Sequence, residues 1–185
     1  MFLERFRDLG LHENTALVLV SDHGILLGDR GWTGKIAQEL HPELTQTPCI
    51  IVHPERKRAG ATSSYFASTQ DIAPTLLSLA GIRGPAHMDG EDLSPLLDGE
   101  ELPARPFAYG GYFNHFFIRD DHWSYIADNR GDHAQLFDLD LDRAELHNVV
   151  DQNPDVREEL HARLLKTIGG LPPYFEGDAV APIRP

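Results

Sequence analysis

One unbroken apolar run, residues 16–20, dominates the first half of the chain and ends in a polar cluster. A short run rich in branched residues predicts a strand buried on both faces of a parallel or mixed sheet. The cluster that follows is Ser21, Asp22, His23 and Gly24. Ligands of open α/β sheets lie at the carboxyl ends of strands, so Asp22 and His23 are candidates for chemistry. Both side chains reach one cation only if the backbone turns there, which Gly24 permits.

Shorter patterns on either side of this run predict two helices and a second strand. Apolar residues on one side of residues 2–9 predict an amphipathic helix. The apolar run Cys49–Val52 predicts another buried strand. Helical spacing over residues 70–80, after a capping residue at Thr69, predicts the second helix.

The second half of the chain has a different pattern, in which short aromatic or branched segments alternate with turn signals. These segments are residues 107–112, 115–119, 123–127 and 135–139. They predict a small antiparallel sheet, followed by a helix that begins at Pro154. We therefore expect an α/β part over residues 1–105, a small antiparallel subdomain with a helix over 106–170, and an extended tail over 171–185.

Composition excludes several classes of partner. The chain has 185 residues, of which 41% are hydrophobic, a net charge of -13 and a pI near 5.0. A packed core is expected, and nucleic acid or an anionic membrane surface is not, because both need a basic footprint. The single cysteine excludes an intrachain disulfide, and no apolar run approaches the roughly 18 residues of a membrane span. The first residues do not form a signal peptide, so we expect a cytoplasmic location.

Four stretches together resemble the sulfatase family of the alkaline phosphatase superfamily. The first is LVLVSDHGILLGDRGWTGK, which is similar to the second metal-binding segment of that family. The other three follow in the family's order: ELTQTPCIIVHP, STQDIAPTLLSLAGI with MDGEDLSPLLDGE, and QLFDLDLDRAELHNVV. The resemblance implies the C-terminal part of an alkaline-phosphatase-like mixed sheet flanked by helices, followed by the small antiparallel subdomain with its C-terminal helix.

The resemblance also implies that part of the family's active site lies outside these residues. Family members carry a Cys/Ser-x-Pro-x-Arg segment, whose first residue becomes formylglycine, together with a pair of acidic metal ligands in their first half. These 185 residues contain no such segment, and Cys49, followed by Ile50, Ile51 and Val52, does not match it. We expect Cys49 to be a buried, small apolar residue, and the family's N-terminal half to be the partner of this chain.

By the resemblance, Asp22 and His23 are metal ligands and Lys35 is a catalytic contact for the sulfate ester. The expected metal is calcium, with manganese as the alternative because of the histidine. A metal polarises the S–O bond, and a lysine offsets negative charge on the group being transferred. The alternatives are an Asx-turn at Asp22, a solvated His23 and an ordinary surface lysine.

Further positions near the expected site carry weaker signals. Arg30 stands where many sulfatases have histidine, and we favour a pairing with Asp29 over anion binding. We interpret Trp32 as a packing residue. His115, in the stretch GGYFNHF with Tyr112, is a candidate substrate contact near the mouth of the pocket. The remaining histidines lie at no metal-ligand spacing, and no role is assigned to them.

The function implied by the resemblance is metal-dependent hydrolysis of a sulfate ester, either a small molecule or a carbohydrate. Phosphonate or phosphate ester hydrolysis is the alternative within the same superfamily, because the metal and lysine serve either anion. A non-catalytic or truncated chain is an alternative of another class.

The lack of a nucleophile segment in these residues gives a first prediction. We expect the purified 185-residue chain not to turn over an aryl sulfate, because a metal and a lysine without a nucleophile accelerate the reaction little. Release of the phenol, followed by absorbance, checks this. Turnover that is abolished by Asp22→Ala would contradict it.

Overall fold

The computed structural model describes residues 1–171, so all but the first residue of the predicted tail lies outside it. The helices and strands, in chain order, are α1 (Phe2–Asp8), β1 (Leu17–Val20), β2 (Leu26–Leu27), β3 (Thr33–Gly34), α2 (Pro42–Thr45), β4 (Cys49–Val52), α3 (Ile72–Leu79), α4 (Ser94–Asp98), β5 (Ala108–Tyr112), β6 (His115–Arg119), β7 (Trp123–Asp128), β8 (Gln135–Asp138) and α5 (Pro154–Thr167). No helix in this part of the chain is long and apolar enough to cross a bilayer.

The chain divides into two compact units. The first contains Met1–Asp22 and Pro48–Arg105, and the second contains His23–Thr47 and the residues from Pro106 onward. The predicted boundary between residues 105 and 106 coincides with a division between the units, but residues 23–47 belong to the second unit and not to the first. The mixture of helices and sheets is the predicted α/β class.

In the first unit, β1 and β4 form a two-stranded antiparallel ladder that pairs Leu17 with Val52 and Val20 with Cys49. The prediction that both strands are buried was wrong for these residues, since Val20, Cys49 and Val52 are exposed. Within residues 1–171 each strand pairs only with the other. Their apolar faces therefore remain accessible, and Cys49 is not the buried residue that we expected.

The helix predicted over residues 70–80 is present as a short 3-10 turn followed by α3, but its cap differs. Ser68, rather than Thr69, forms the capping box, in which its backbone amide donates to Asp71 Oδ2 at 2.7 Å. The Asp71 side chain is fully buried, and Arg105 donates two bonds of 2.8 Å to it. The Glu91 amide donates a further bond of 2.8 Å. Asp71 thus links the start of α3 to two later loops.

The second unit is built on a four-stranded antiparallel meander in the order β5-β6-β7-β8. Its strands lie within a residue or two of the predicted segments, so the predicted antiparallel sheet is confirmed. A loop of two residues, Phe113 and Asn114, joins β5 to β6, and Tyr112 pairs with His115 across it. Phe113 adopts a φ of 53°, which is unusual for a bulky residue.

The two faces of this sheet pack against different parts of the chain. On the face that we call the helix face, Ile118, Tyr125 and Leu136 pack against Leu160 and Leu164 of α5. Alternate positions point to the opposite face, which we call the segment face.

On the segment face, Ile126 and Phe137 pack with Leu40. Leu40 belongs to residues 24–46, which we call the Lys35 segment. This segment also has its own small cluster of Leu26, Ile36 and Leu44 beside Trp32. The alternation of the strands thus gives the sheet two buried faces, and one of them supports the Lys35 segment.

The buried Asp71 gives a prediction on stability. We expect Asp71→Asn to lower the free energy of unfolding by about 3 kcal/mol, because it leaves Arg105 without its carboxylate. Burial alone would raise the pKa of Asp71, but the bonds from Arg105, Glu91 and Ser68 outweigh it and lower the pKa. This stabilisation is therefore present above the pKa of the unfolded chain, about 3.9, and is lost as the pH falls through the lower folded pKa.

Urea denaturation at several pH values measures this effect. The exposed Asp89 offers a matched control, and we expect Asp89→Asn to change stability by about 0.5 kcal/mol or less. Equal losses of unfolding free energy in the two variants would show that the contacts of Asp71 with Arg105, Glu91 and Ser68 do not stabilise the fold.

Candidate functional site

Asp22 and His23 follow β1, where the strand ends. The Asp22 side chain is exposed, and the His23 side chain is half-buried. His23 Nδ1 lies 2.7 Å from the carbonyl oxygen of Gly24, a contact that suits a protonated Nδ1. A histidine that donates its Nδ1 proton to a backbone carbonyl presents Nε2 in the form that binds metals. A carboxylate oxygen suits calcium or manganese, whereas an imidazole is less suited to calcium, and the assignment of both side chains as ligands stays a prediction.

Gly24 is required here by the close approach of another backbone segment. A Cβ atom at Gly24 would lie 1.9 Å from the carbonyl oxygen of Glu43, and the Gly24 amide donates to the Leu44 carbonyl at 2.9 Å. The sequence suggested instead that glycine serves a turn. Any side chain at this position would push α2 away from the residues that follow His23.

Lys35 follows β3 directly, and its ammonium lies over the ring of Tyr112, 4.1 Å from the centroid. The lysine is half-buried. Lys57, in contrast, pairs with the carboxylate of Asp98 at 2.7 Å. An aromatic face holds a cation by its quadrupole without neutralising the charge. The Tyr112 ring therefore contacts the Lys35 ammonium without pairing it with an opposite charge.

His115 is buried at the start of β6, and its Nε2 has no hydrogen-bond partner within residues 1–171. Burial lowers the pKa of His115, against a smaller opposing effect of Asp128, so the imidazole is neutral at neutral pH. A buried polar atom without a partner in the protein is unusual and calls for a partner of another kind. Water or a bound ligand can supply that partner, and the role of His115 as a substrate contact stays a prediction.

Tyr112 connects the two residues that the sequence assigned to substrate. It contacts Lys35 through its ring and pairs with His115 across the β5–β6 hairpin. Residues directly opposite in an antiparallel pair point to the same face of the sheet. Lys35 and His115 are thus both neighbours of Tyr112 on the segment face, although they are 80 positions apart in the sequence. Phe113 packs edge-on against Tyr112 at 4.8 Å and is half exposed.

We expected Arg30 to pair with Asp29, but the structure gives both side chains other partners. Its guanidinium donates to the carbonyl oxygens of Glu145 at 2.6 Å and Ala144 at 2.9 Å, and it pairs with Glu43 at 3.2 Å. Asp29 instead accepts a bond from the amide of Leu27. Arg30 itself has a left-handed φ of 55°. These partners bind both terminal nitrogens of the guanidinium, whereas its buried Nε has no hydrogen-bond partner within residues 1–171.

No role was predicted for His41 or Glu145, which form an almost fully buried polar pair in the second unit. His41 Nδ1 lies 2.6 Å from Glu145 Oε2, and its Nε2 lies 3.4 Å from Glu39. Burial alone would lower the pKa of His41, but the bonds with Glu145 and Glu39 outweigh it and raise the pKa. No spacing rule connects residues 104 positions apart. The only signal was that Glu145 lies within one of the four recognised stretches.

Within residues 1–171, no three side chains of His, Cys, Asp or Glu are grouped so that they could hold a metal ion. The predicted ligand pair Asp22 and His23 would therefore need further oxygen donors for a calcium ion, which usually takes six to eight.

Comparison with protein families identifies the chain. The model of the C-terminal region of N-sulphoglucosamine sulphohydrolase matches residues 28–169. The chain belongs to the sulfatase family. The match includes Lys35, Tyr112 and His115, and it corresponds to the C-terminal portion of sulfatases of the alkaline phosphatase superfamily.

Characterised sulfatases agree with this assignment. N-acetylglucosamine-6-O-sulfatase of Bacteroides thetaiotaomicron is 33% identical over 80% of the chain, and the ulvan-active sulfatase of Formosa agariphila is 31% identical over 95%. Arylsulfatase K of Danio rerio is 31% identical over 90%. The matched regions amount to 28%, 37% and 33% of these three proteins, so this sulfatase chain spans about a third of their length.

Solved structures show the same fold. A protein solved with its substrate D-glucosamine-2-N,6-O-disulfate superposes with a TM-score of 0.79 and 28% identity, over 91% of this chain and 37% of that one. The phosphonate monoester hydrolase of Agrobacterium radiobacter superposes with a TM-score of 0.75 and 24% identity, over 91% of this chain and 38% of its own, which shows the fold alone.

The raised pKa of His41 gives a prediction on pH. A group whose folded pKa exceeds its unfolded value stabilises the fold fully below the unfolded pKa, near 6.5, and this stabilisation is lost as the pH rises through the folded pKa. We therefore expect the stability difference between the wild type and His41→Asn to shrink as the pH rises above 6.5. Urea denaturation from pH 5.5 to 8.5 measures this difference.

His87 is exposed, and His87→Asn serves as the control. We expect that variant to follow the wild type over the whole pH range. A difference for His41→Asn that is constant with pH would contradict a protonated His41.

Proposed function

We propose that this chain contributes the sulfate-contacting lysine and part of the metal site to the hydrolysis of carbohydrate sulfate esters. The observation that supports this most is the position of the Lys35 ammonium, 4.1 Å from the centroid of the Tyr112 ring. None of the described carboxylates forms an ion pair with it, so a sulfate can take that place. A lysine that is held in this way binds a sulfate with little rearrangement.

Lys35 would act as a point charge beside the sulfate. Negative charge develops on the bridging oxygen and on the sulfate oxygens as the S–O bond breaks, and a fixed ammonium stabilises it. Half-burial strengthens this interaction, because the local dielectric is lower than that of water.

His115 would contact the substrate through its buried Nε2 atom. The neutral imidazole can donate or accept one hydrogen bond at this atom, depending on its tautomer. A sugar hydroxyl or a sulfate oxygen satisfies either form. This assignment accounts for a buried polar atom that has no partner in the described protein.

Asp22 and His23 would each supply one ligand to a divalent metal, with calcium expected and manganese as the alternative. When bound, the metal polarises the sulfate and holds the nucleophile. The contribution of this chain is to present a carboxylate after β1 and an imidazole whose Nδ1 is oriented by the Gly24 carbonyl. The formylglycine nucleophile and the remaining ligands would come from the N-terminal part of a sulfatase.

An amino sugar that carries a 6-O-sulfate is the substrate class that the relatives support. The most similar of the relatives named above is an N-acetylglucosamine-6-O-sulfatase, and the structure with the highest TM-score above contains a glucosamine disulfate. The similarity to a phosphonate monoester hydrolase concerns the fold, so phosphonate esters serve as a comparison in the test.

This proposal predicts selective binding. We expect the chain, in the presence of calcium, to bind glucosamine 6-O-sulfate and not glucosamine, and Lys35→Met to weaken binding about tenfold, or roughly 1.4 kcal/mol. Chemical shifts of Tyr112 and His115 in an NMR titration provide the measurement.

Lys166→Met removes an exposed lysine and is the matched control, for which we expect unchanged affinity. A phenylphosphonate monoester in place of the sulfated sugar tests the other ester class. No binding of the sulfated sugar, or equal binding by Lys35→Met, would contradict the proposal and favour a non-catalytic chain.

A further inference from the structure

A buried cluster of charged side chains lies on the segment face, and we call it the Glu145 cluster: Arg30, His41, Arg119 and Glu145. Both oxygens of the Glu145 carboxylate are used, since Oε1 accepts from Arg119 and Oε2 contacts His41 Nδ1 at 2.6 Å. The main-chain carbonyl of Glu145 accepts from Arg30 at 2.6 Å. One residue therefore holds three partners through its side chain and its backbone.

Such a cluster is expensive to build. The Glu145 side chain is 0% exposed, and His41 is 1% exposed, so both have lost nearly all contact with water. Glu145 and Arg30 also adopt left-handed φ values of 55°, which cost of order 1 kcal/mol or more for residues other than glycine. Buried ion pairs often stabilise a fold no better than apolar packing, and their best-attested benefit is to fix one arrangement.

The arrangement that the cluster fixes is that of the Lys35 segment. Arg30 and His41 belong to this segment and flank Lys35 in the sequence, whereas Arg119 belongs to β6 and Glu145 to the loop that follows β8. The segment's own ladder is short, because β2 and β3 share only two residue pairs. Leu40 attaches the segment to the sheet by apolar packing, and the Gln135 side chain of β8 donates to the Gln38 carbonyl at 2.9 Å. The Glu145 cluster adds a charged attachment through two side chains that are almost fully buried, His41 and Glu145.

We propose that Glu145 is a positioning residue, which holds the Lys35 segment on the sheet so that the Lys35 ammonium stays over Tyr112. It touches no substrate atom and acts through Arg30 and His41. This inference rests on the proposed function for its consequence in sulfate binding. The position of Lys35 itself can be tested separately.

Chemical labelling of lysines tests the position of Lys35 in the 185-residue chain. The chain has three lysines, at positions 35, 57 and 166, so mass spectrometry after brief acetylation reads each one. We expect Glu145→Gln to raise the labelling rate of Lys35 relative to the exposed Lys166, because the ammonium leaves the aromatic face. We also expect this variant to bind glucosamine 6-O-sulfate about tenfold more weakly.

Asp71→Asn is the matched control, because it breaks the other fully buried carboxylate pair, with Arg105, in the first unit. A general loss of stability would raise Lys35 labelling in both variants. If Glu145 is a positioning residue, the labelling rate of Lys35 rises in Glu145→Gln and not in Asp71→Asn. Arg30→Lys keeps the charge but removes the paired bonds to Ala144 and Glu145, and it tests the same effect if Glu145→Gln does not fold.

The outcomes separate the two proposals. Unchanged Lys35 labelling in folded Glu145→Gln or Arg30→Lys overturns the positioning role, whatever the substrate. If labelling rises as expected but Lys35→Met binds the sulfated sugar as the wild type does, the positioning role stands and the proposed function fails.

Discussion

The buried carboxylate of Glu145 is the constraint on which the second unit depends. It lies between the guanidinium of Arg119 on β6 and the imidazole of His41, and the main-chain carbonyl of Glu145 accepts a hydrogen bond from Arg30. Removing one partner of such a group leaves an uncompensated charge, at a cost of about 3 to 5 kcal/mol. The sheet and the Lys35 segment therefore keep one relative arrangement.

Tyr112 contacts both of the residues that were predicted to bind substrate. Its ring supports the Lys35 ammonium, and its partner across the hairpin is His115, whose Nε2 has no partner in the described residues. A fixed cation and an unsatisfied polar atom beside one aromatic ring suit a ligand that is both anionic and rich in hydroxyl groups. In the proposed function this ligand is a sulfated sugar, the kind of compound that is named for two similar proteins.

The sequence predicted local structure well where alternation and turns determine it. The four strands of the meander lie within two residues of their predicted bounds, because turn signals bound each short aromatic or branched segment, and α5 begins at Pro154 as predicted. The burial of Cys49 was predicted wrongly, because an apolar run does not reveal what covers a strand. His41 and Glu145 were missed because their contact depends on a fold that joins distant residues. For Arg30, the sequence showed a nearby acid but not the carbonyl oxygens of Ala144 and Glu145, which only the fold brings to the guanidinium.

The position of a bound sulfate decides whether Lys35 and His115 contact the substrate. A crystal structure of the chain with glucosamine 6-O-sulfate bound would show it. We expect a sulfate oxygen within about 3.2 Å of Lys35 Nζ and a sugar or sulfate oxygen at the same distance from His115 Nε2. A sulfate bound elsewhere on the chain, with Lys35 still on Tyr112, would contradict it.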